Sequence, residues 1–168
     1  RVNLCYFSCM LVDELNLETV VPMADEDRWE AAVSHRVKSG DWMKPEFDDT
    51  KWERRTGAFG SRGEYPNVRT PWGGNGNDIY VRRTVEIGNL AEVGALYVKY
   101  SHDDVFELYL NGEKLVGTGE TWGTDFVYKL TDKQKELLKE GKNVIAAHCH
   151  NTTGGAYVDF GLYKESKD

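Results

Sequence analysis

The stretch VFELYLNGEKLVG, residues 105–117, decides the fold. Phe106, Leu108 and Leu110 alternate with Glu107 and Tyr109, a period of two that sends one set into a core and the other away from it. Asn111–Gly112 then supplies two residues that tolerate positive φ, which the type I′ turn between antiparallel strands requires at both central positions. The chain returns as a second strand over about 113–118.

Outward from this hairpin the same period recurs. Residues 79–87 place Ile79, Val81, Val85 and Ile87 on one face, with Tyr80, Arg82, Thr84 and Glu86 on the other. Strands are also predicted at 95–101, 126–130, 143–150 and 156–163, the last two joined by a polar turn at 152–155. Weaker candidates are 28–36 and about 54–59. One helix is expected at 132–140, capped by Thr131 and stopped by Gly141. About nine short strands with close turns indicate an all-β sandwich or barrel. The alternation buries Ile79, Val81, Phe106, Leu108, Leu110, Ile145, Ala147, Cys149 and Val158, and puts Glu107, Tyr109 and His148 on the opposite face. Arg83 falls on the apolar face of its strand. A buried guanidinium needs a counter-charge, so a structural ion pair with Asp48, Asp49 or Asp159 is expected.

At 168 residues the chain fits one domain with its own core. A net charge of −7 with no basic stripe argues against nucleic acid or an anionic membrane as partner. Arg54, Arg55, Arg62 and Arg69 are interleaved with Gly, Pro and acids and read as solvated loop. Three cysteines make neither a disulfide framework nor a CxxC pair. Cys5 and Cys9 could close a small loop or remain free, and both readings stay open. The apolar run Val2–Val12 is too short to span a bilayer. The chain starts at Arg1 rather than Met, so we expect a piece of something longer, with 1–24 as an extension or linker and 25–168 as the domain.

The chemistry-bearing residues are sparse. WGGNGND (72–78) lacks the lysine of a phosphate-binding loop and runs into a strand instead of a helix. His148 and His150 share one strand face, the usual start of a metal site, with His102, Asp103 and Asp104 the only obvious further ligands; an ordinary strand pair and no metal is the expectation. FDDTKW (47–52) reads as a turn in which Asp side chains bond nearby backbone N–H groups. Asp103–Asp104 sits where one strand ends and the next begins. No GxSxG occurs, and Cys149 faces inward, where a reactive thiolate is disfavoured. No catalytic set and no cofactor are expected, and bound calcium is not readable from these residues.

DIYVRR (78–83), VFELYLNGEKLVG (105–117), LLKEGKNVIAAHCHN (137–151) and FDDTKW (47–52) together resemble the N-terminal sugar-binding domain of family 2 glycoside hydrolases. The pattern resembles still more closely the galactose-binding-like domains of large exported Bacteroides-type proteins of glutaminase A-like or glycosidase type. The likeness runs from about Trp29 to Tyr163. It departs from the family 2 pattern at Tyr80, which Val81 separates from the Arg pair, and in the longer Gly-rich region 61–77. The resemblance implies a jelly-roll β-sandwich of two antiparallel sheets with one short helix. It also implies a non-catalytic carbohydrate-binding or accessory domain of a larger secreted or periplasmic enzyme. Its partners would be an adjacent catalytic domain of the same polypeptide and a carbohydrate, a neutral one because the field of a net charge of −7 disfavours anionic glycans. Candidate sugar contacts in the loops are Trp72, Asn75, His102, Asp103 and Trp122. The alternatives are a scaffold domain docking on a catalytic neighbour, and a stand-alone hydrolase with two convergent carboxylates.

Overall fold

The structure is a computed structural model that describes residues 16–38, 40–91 and 93–167. The expectations for Cys5, Cys9 and Val2–Val12 lie outside those residues. Twelve strands follow in order: β1 Leu17–Val21, β2 Trp29–Ser34, β3 Glu53–Gly57, β4 Phe59–Gly60, β5 Thr70–Pro71, β6 Asn77–Ile87, β7 Leu96–Asp103, β8 Val105–Leu110, β9 Glu113–Gly117, β10 Trp122–Lys129, β11 Gly141–Asn151 and β12 Tyr157–Glu165. A single turn of helix, α1, covers Asp132–Lys135.

They form two six-stranded sheets packed face to face. One runs β10-β7-β12-β4-β5 with β1 also on β12, and the other runs β3-β2-β6-β11-β8-β9. Pairing is antiparallel except for the short β4–β5 contact. β1 is part of this sheet, so residues 17–21, assigned by sequence to an extension, belong to the sandwich. Gly161 lets β1 and the segment after it lie close on β12, because a Cβ there would sit 2.4 Å from the Val21 carbonyl oxygen. The hairpin turn has Asn111 at φ 47° and Gly112 at φ 90°, as type I′ demands.

The helix is shorter than expected. Thr131 and Gln134 complete a capping box, but the chain leaves helical geometry once Leu138 has to enter the core and Asn143 captures the Lys139 N–H at 2.9 Å.

Between the sheets all nine residues expected in the core are buried. Truncating one of the large ones, such as Phe106, would cost about 3–5 kcal/mol. Glu107, Tyr109 and His148 do lie on the other face, yet that face is not open. Residues 40–52, with Val37, cover it, and Trp42 packs against Val144, Ala146, Tyr80 and Tyr109. Within it Asp48 accepts from Thr50 N (3.0 Å) and Thr50 Oγ1 (2.7 Å), the turn read from FDDTKW.

This cover explains a correction. The carboxylate expected for Arg83 is taken by Arg82, whose Nε lies 2.9 Å from Asp49 Oδ2 and whose other donors reach the carbonyls of Trp42, Lys44 and Phe47. Arg83 is buried between the sheets and donates to the carbonyls of Phe160 and Pro22, with its guanidinium 4.0 Å from the Trp29 ring centroid. Asp159 exerts only a through-space attraction on it, because its oxygens accept from Ala24 N and Trp29 Nε1.

Candidate functional site

The loops expected to carry a site do gather at one end of the sandwich, around the turn 152–155. Asn75 is exposed and accepts from Gly154 N at 3.2 Å. Trp122 begins β10 directly opposite Asp103 on β7, and a Cβ on Gly155 would come 3.2 Å from Asp103 Oδ2. The five candidates nevertheless divide by what they touch.

His102 is buried under this end. Its Nδ1 is 2.7 Å from the Asp104 carbonyl oxygen, and since a carbonyl only accepts, Nδ1 carries the proton. The ring stacks on Phe106 at 5.2 Å, and burial lowers its pKa, so it is a neutral core imidazole. Asp103 is buried as well. Burial pushes its carboxyl up to about 6; a hydrogen bond from Tyr65 (2.6 Å) opposes the shift, and Asp104 and Glu64 add to it. Asp104 anchors the turn by accepting from Thr152 N at 2.8 Å and Thr153 N at 3.3 Å. Both members of this acid pair therefore have structural employment. Trp122, by contrast, is 68% exposed on edge strand β10, with Phe126 also outward at 39%.

Trp72 is buried at 7% exposure and walls a cleft of about 740 Å³, within the range of about 300–1,000 Å³ usual for small-molecule sites. The cleft forms because β2 pairs antiparallel with β6, which brings His35 and Arg36 beside Asn77 and Asp78, while the β4 end contributes Gly60 to Arg62. Trp72 Nε1 has no hydrogen-bond partner among the described residues. A buried donor left in that state costs about 1–3 kcal/mol. His35, Arg36 and Arg62 were not singled out by sequence for this role. They sit at irregular strand ends, and only the β2–β6 register joins them.

His148 and His150 point to one face as the HxH spacing requires, and both close on one carboxylate oxygen. His148 Nε2 is 2.8 Å and His150 Nδ1 3.0 Å from Asp78 Oδ1. Burial pushes the Asp78 carboxyl up, but the two imidazoles outweigh it and hold its pKa below the ordinary value. His148 also stacks on Tyr80 at 4.4 Å. Among the described residues no group of three or more His, Cys, Asp or Glu side chains is placed to hold a metal ion. The Cys149 thiol is buried and pushed well up by burial, in keeping with an inert core position.

No protein-family model and no curated protein matches the sequence. Solved structures do match. β-Glucuronidase 2 of Bacteroides uniformis superposes with a TM-score of 0.60 at 12% identity, covering 90% of this chain and 18% of that one. A β-glucuronidase of Faecalibacterium prausnitzii gives 0.55 at 11% identity, with 92% and 32% covered. A glycosyl hydrolase family 2 member from Bacteroides cellulosilyticus gives 0.55 at 13%, with 88% and 21% covered. The chain thus spans a third or less of each of these enzymes. At such identities the likeness is one of fold, and in fold this chain matches a segment found within larger glycosidase chains, a family 2 member among them.

Proposed function

We propose that this chain is a non-catalytic accessory domain of a larger secreted or periplasmic carbohydrate-processing enzyme, and that it holds sugar at the loop end in the cleft walled by Trp72. The observation that carries the reading is the coverage: about nine-tenths of the chain superposes on 18–32% of each glycosidase, which leaves the greater part of those enzymes to other segments. An aromatic wall beside hydrogen-bonding groups is what a pyranose needs, since its C–H faces stack and its hydroxyls exchange bonds. Asp103 and Asp104, the adjacent acids that a hydrolase reading would use, are engaged by Tyr65 and by the backbone of Thr152 and Thr153.

Two measurements test this. Titrating the chain with a panel of mono- and oligosaccharides should shift NMR resonances around Trp72, with affinity nearer millimolar than nanomolar because the cleft is open. Aryl glycosides and glutamine should not be turned over. Robust turnover abolished by Asp103→Asn or Asp104→Asn would overturn the accessory reading.

One observation favours a second reading. Trp122 and Phe126 are exposed together on an edge strand, and exposed aromatics at a sheet edge suit a protein neighbour. In that reading β10 docks on an adjacent catalytic domain of the same polypeptide, and resonance shifts with sugars are absent at every position.

A further inference from the structure

The cleft beside Trp72 has a one-sided chemistry. Its two guanidinium groups, on Arg36 and Arg62, have no ion-pair or hydrogen-bond partner among the described residues. The cleft's one carboxylate belongs to Asp78, and its Oδ1 is engaged by His148 and His150. The charge that this cleft leaves without a protein partner is therefore that of two permanently cationic guanidinium groups. Glycines at 60, 73 and 76 keep part of the lining free of side chains.

We propose that the ligand of this cleft is an acidic sugar, a uronate-bearing or sulfated saccharide whose anionic group pairs with Arg36 and Arg62 while a ring lies against Trp72. The inference rests on the sugar-holding reading above and replaces the neutral saccharide that the net charge of −7 would favour. Net charge acts at long range and is screened beyond about 8 Å at physiological salt, whereas a guanidinium in contact with a carboxylate or sulfate forms a charge-assisted, often bidentate bond. The local pair therefore decides.

The test sets trigalacturonate against galactotriose, its neutral counterpart, with inorganic sulfate as a third ligand, each titrated into the whole chain at fixed ionic strength. The readouts are calorimetry and the indole N–H resonance of Trp72. The expected result is at least tenfold tighter binding of trigalacturonate than of galactotriose, with the Trp72 resonance shifted. The double variant Arg36→Gln, Arg62→Gln, whose fold is checked by its amide spectrum, should lose that preference. Equal binding of both saccharides at Trp72 would overturn the acidic specificity and leave the sugar-holding reading standing. Binding of neither would overturn both. Sulfate binding as tightly as trigalacturonate would mark a plain anion site and overturn the saccharide class. A preference that survives the double variant would overturn the arginine assignment.

Discussion

Asn111 donates from Nδ2 to Asn143 Oδ1 across 2.8 Å, joining the hairpin turn after β8 to the start of β11. Both are motif residues, the Asn of the Asn–Gly turn and the Asn of GKNVI. Asn111 also donates to the Leu137 carbonyl (2.8 Å) and accepts from Val144 N (2.8 Å). Asn143 is fully buried, accepts from Lys139 N and donates to the carbonyls of Lys139 (2.7 Å) and Gly141 (3.0 Å). The two side chains satisfy the backbone of a chain reversal that regular strand pairing cannot reach. Two of the motifs that resemble a sugar-binding domain are thus, physically, a fold signature.

Asn143→Ala should therefore destabilise the domain by about 3 kcal/mol, since it strands several buried backbone groups at once. The midpoint of urea denaturation measures this. A loss under about 0.5 kcal/mol would mean the loop finds other partners.

Arg82 and Asp49 carry a second expectation. The Arg82 side chain is 2% exposed and Asp49 16%, and their 2.9 Å contact pins the cover segment 40–52 to the outer face of β6. Asp49→Asn leaves a buried guanidinium with carbonyls but no counter-charge, at a cost of about 3 kcal/mol. Hydrogen exchange should rise at Tyr80 and Val144, beneath the cover, ahead of Phe106 in the core. Exchange rising uniformly would show that the cover and the core open as one unit.

The sandwich was legible because alternation is a direct imprint of a half-buried sheet, as β6, β8 and β11 demonstrate. The cover was not, since Trp42, Phe47 and Trp52 follow no period and only the folded chain lays them over Tyr80 and Tyr109. That is why Arg82 was placed only on the face away from the core and Arg83 was read as the residue needing an acid. His102 could have been placed: Val98, Tyr100 and His102 continue a two-residue period into the core, and reading SHDD as a strand end hid it. Of the candidate site, Trp72 was recognisable as a loop aromatic. Its cleft partners Arg36 and Arg62 meet it only through the register between β2 and β6 and the course of the loops.

Trp122 distinguishes the β10 edge from the Trp72 cleft as the place where a saccharide binds. At 68% exposure it supports little of the core, so Trp122→Ala should change stability by no more than about 0.5 kcal/mol and leave saccharide binding at Trp72 intact. Calorimetry on this variant decides the matter. Loss of sugar affinity with an unchanged fold would move the binding site from the Trp72 cleft to the β10 edge.

The last expectation concerns Asp103 and pH. Burial holds its folded carboxyl up to about 6, against an ordinary value of 3.8. A carboxyl that keeps its proton longer when folded contributes stability that is fully present below about 3.8 and is lost as pH rises through about 6. Over roughly two pH units at 1.36 kcal/mol each, the effect is on the order of 3 kcal/mol at most. Asp159, buried and likewise raised to about 6, acts in the same direction. His102 opposes them, because a buried neutral imidazole with a lowered pKa loses stability as pH falls below about 6.5. The sum is thus a poor readout, and the difference between variants is a good one. Asn at position 103 can still accept from Tyr65 through its amide oxygen but has no charge to desolvate. The melting temperature of Asp103→Asn relative to the unaltered chain should therefore improve from pH 4.5 to pH 7.5. If that difference is the same at both values, the Asp103 carboxyl is not held protonated by its surroundings, and the loop end is open to water at this position.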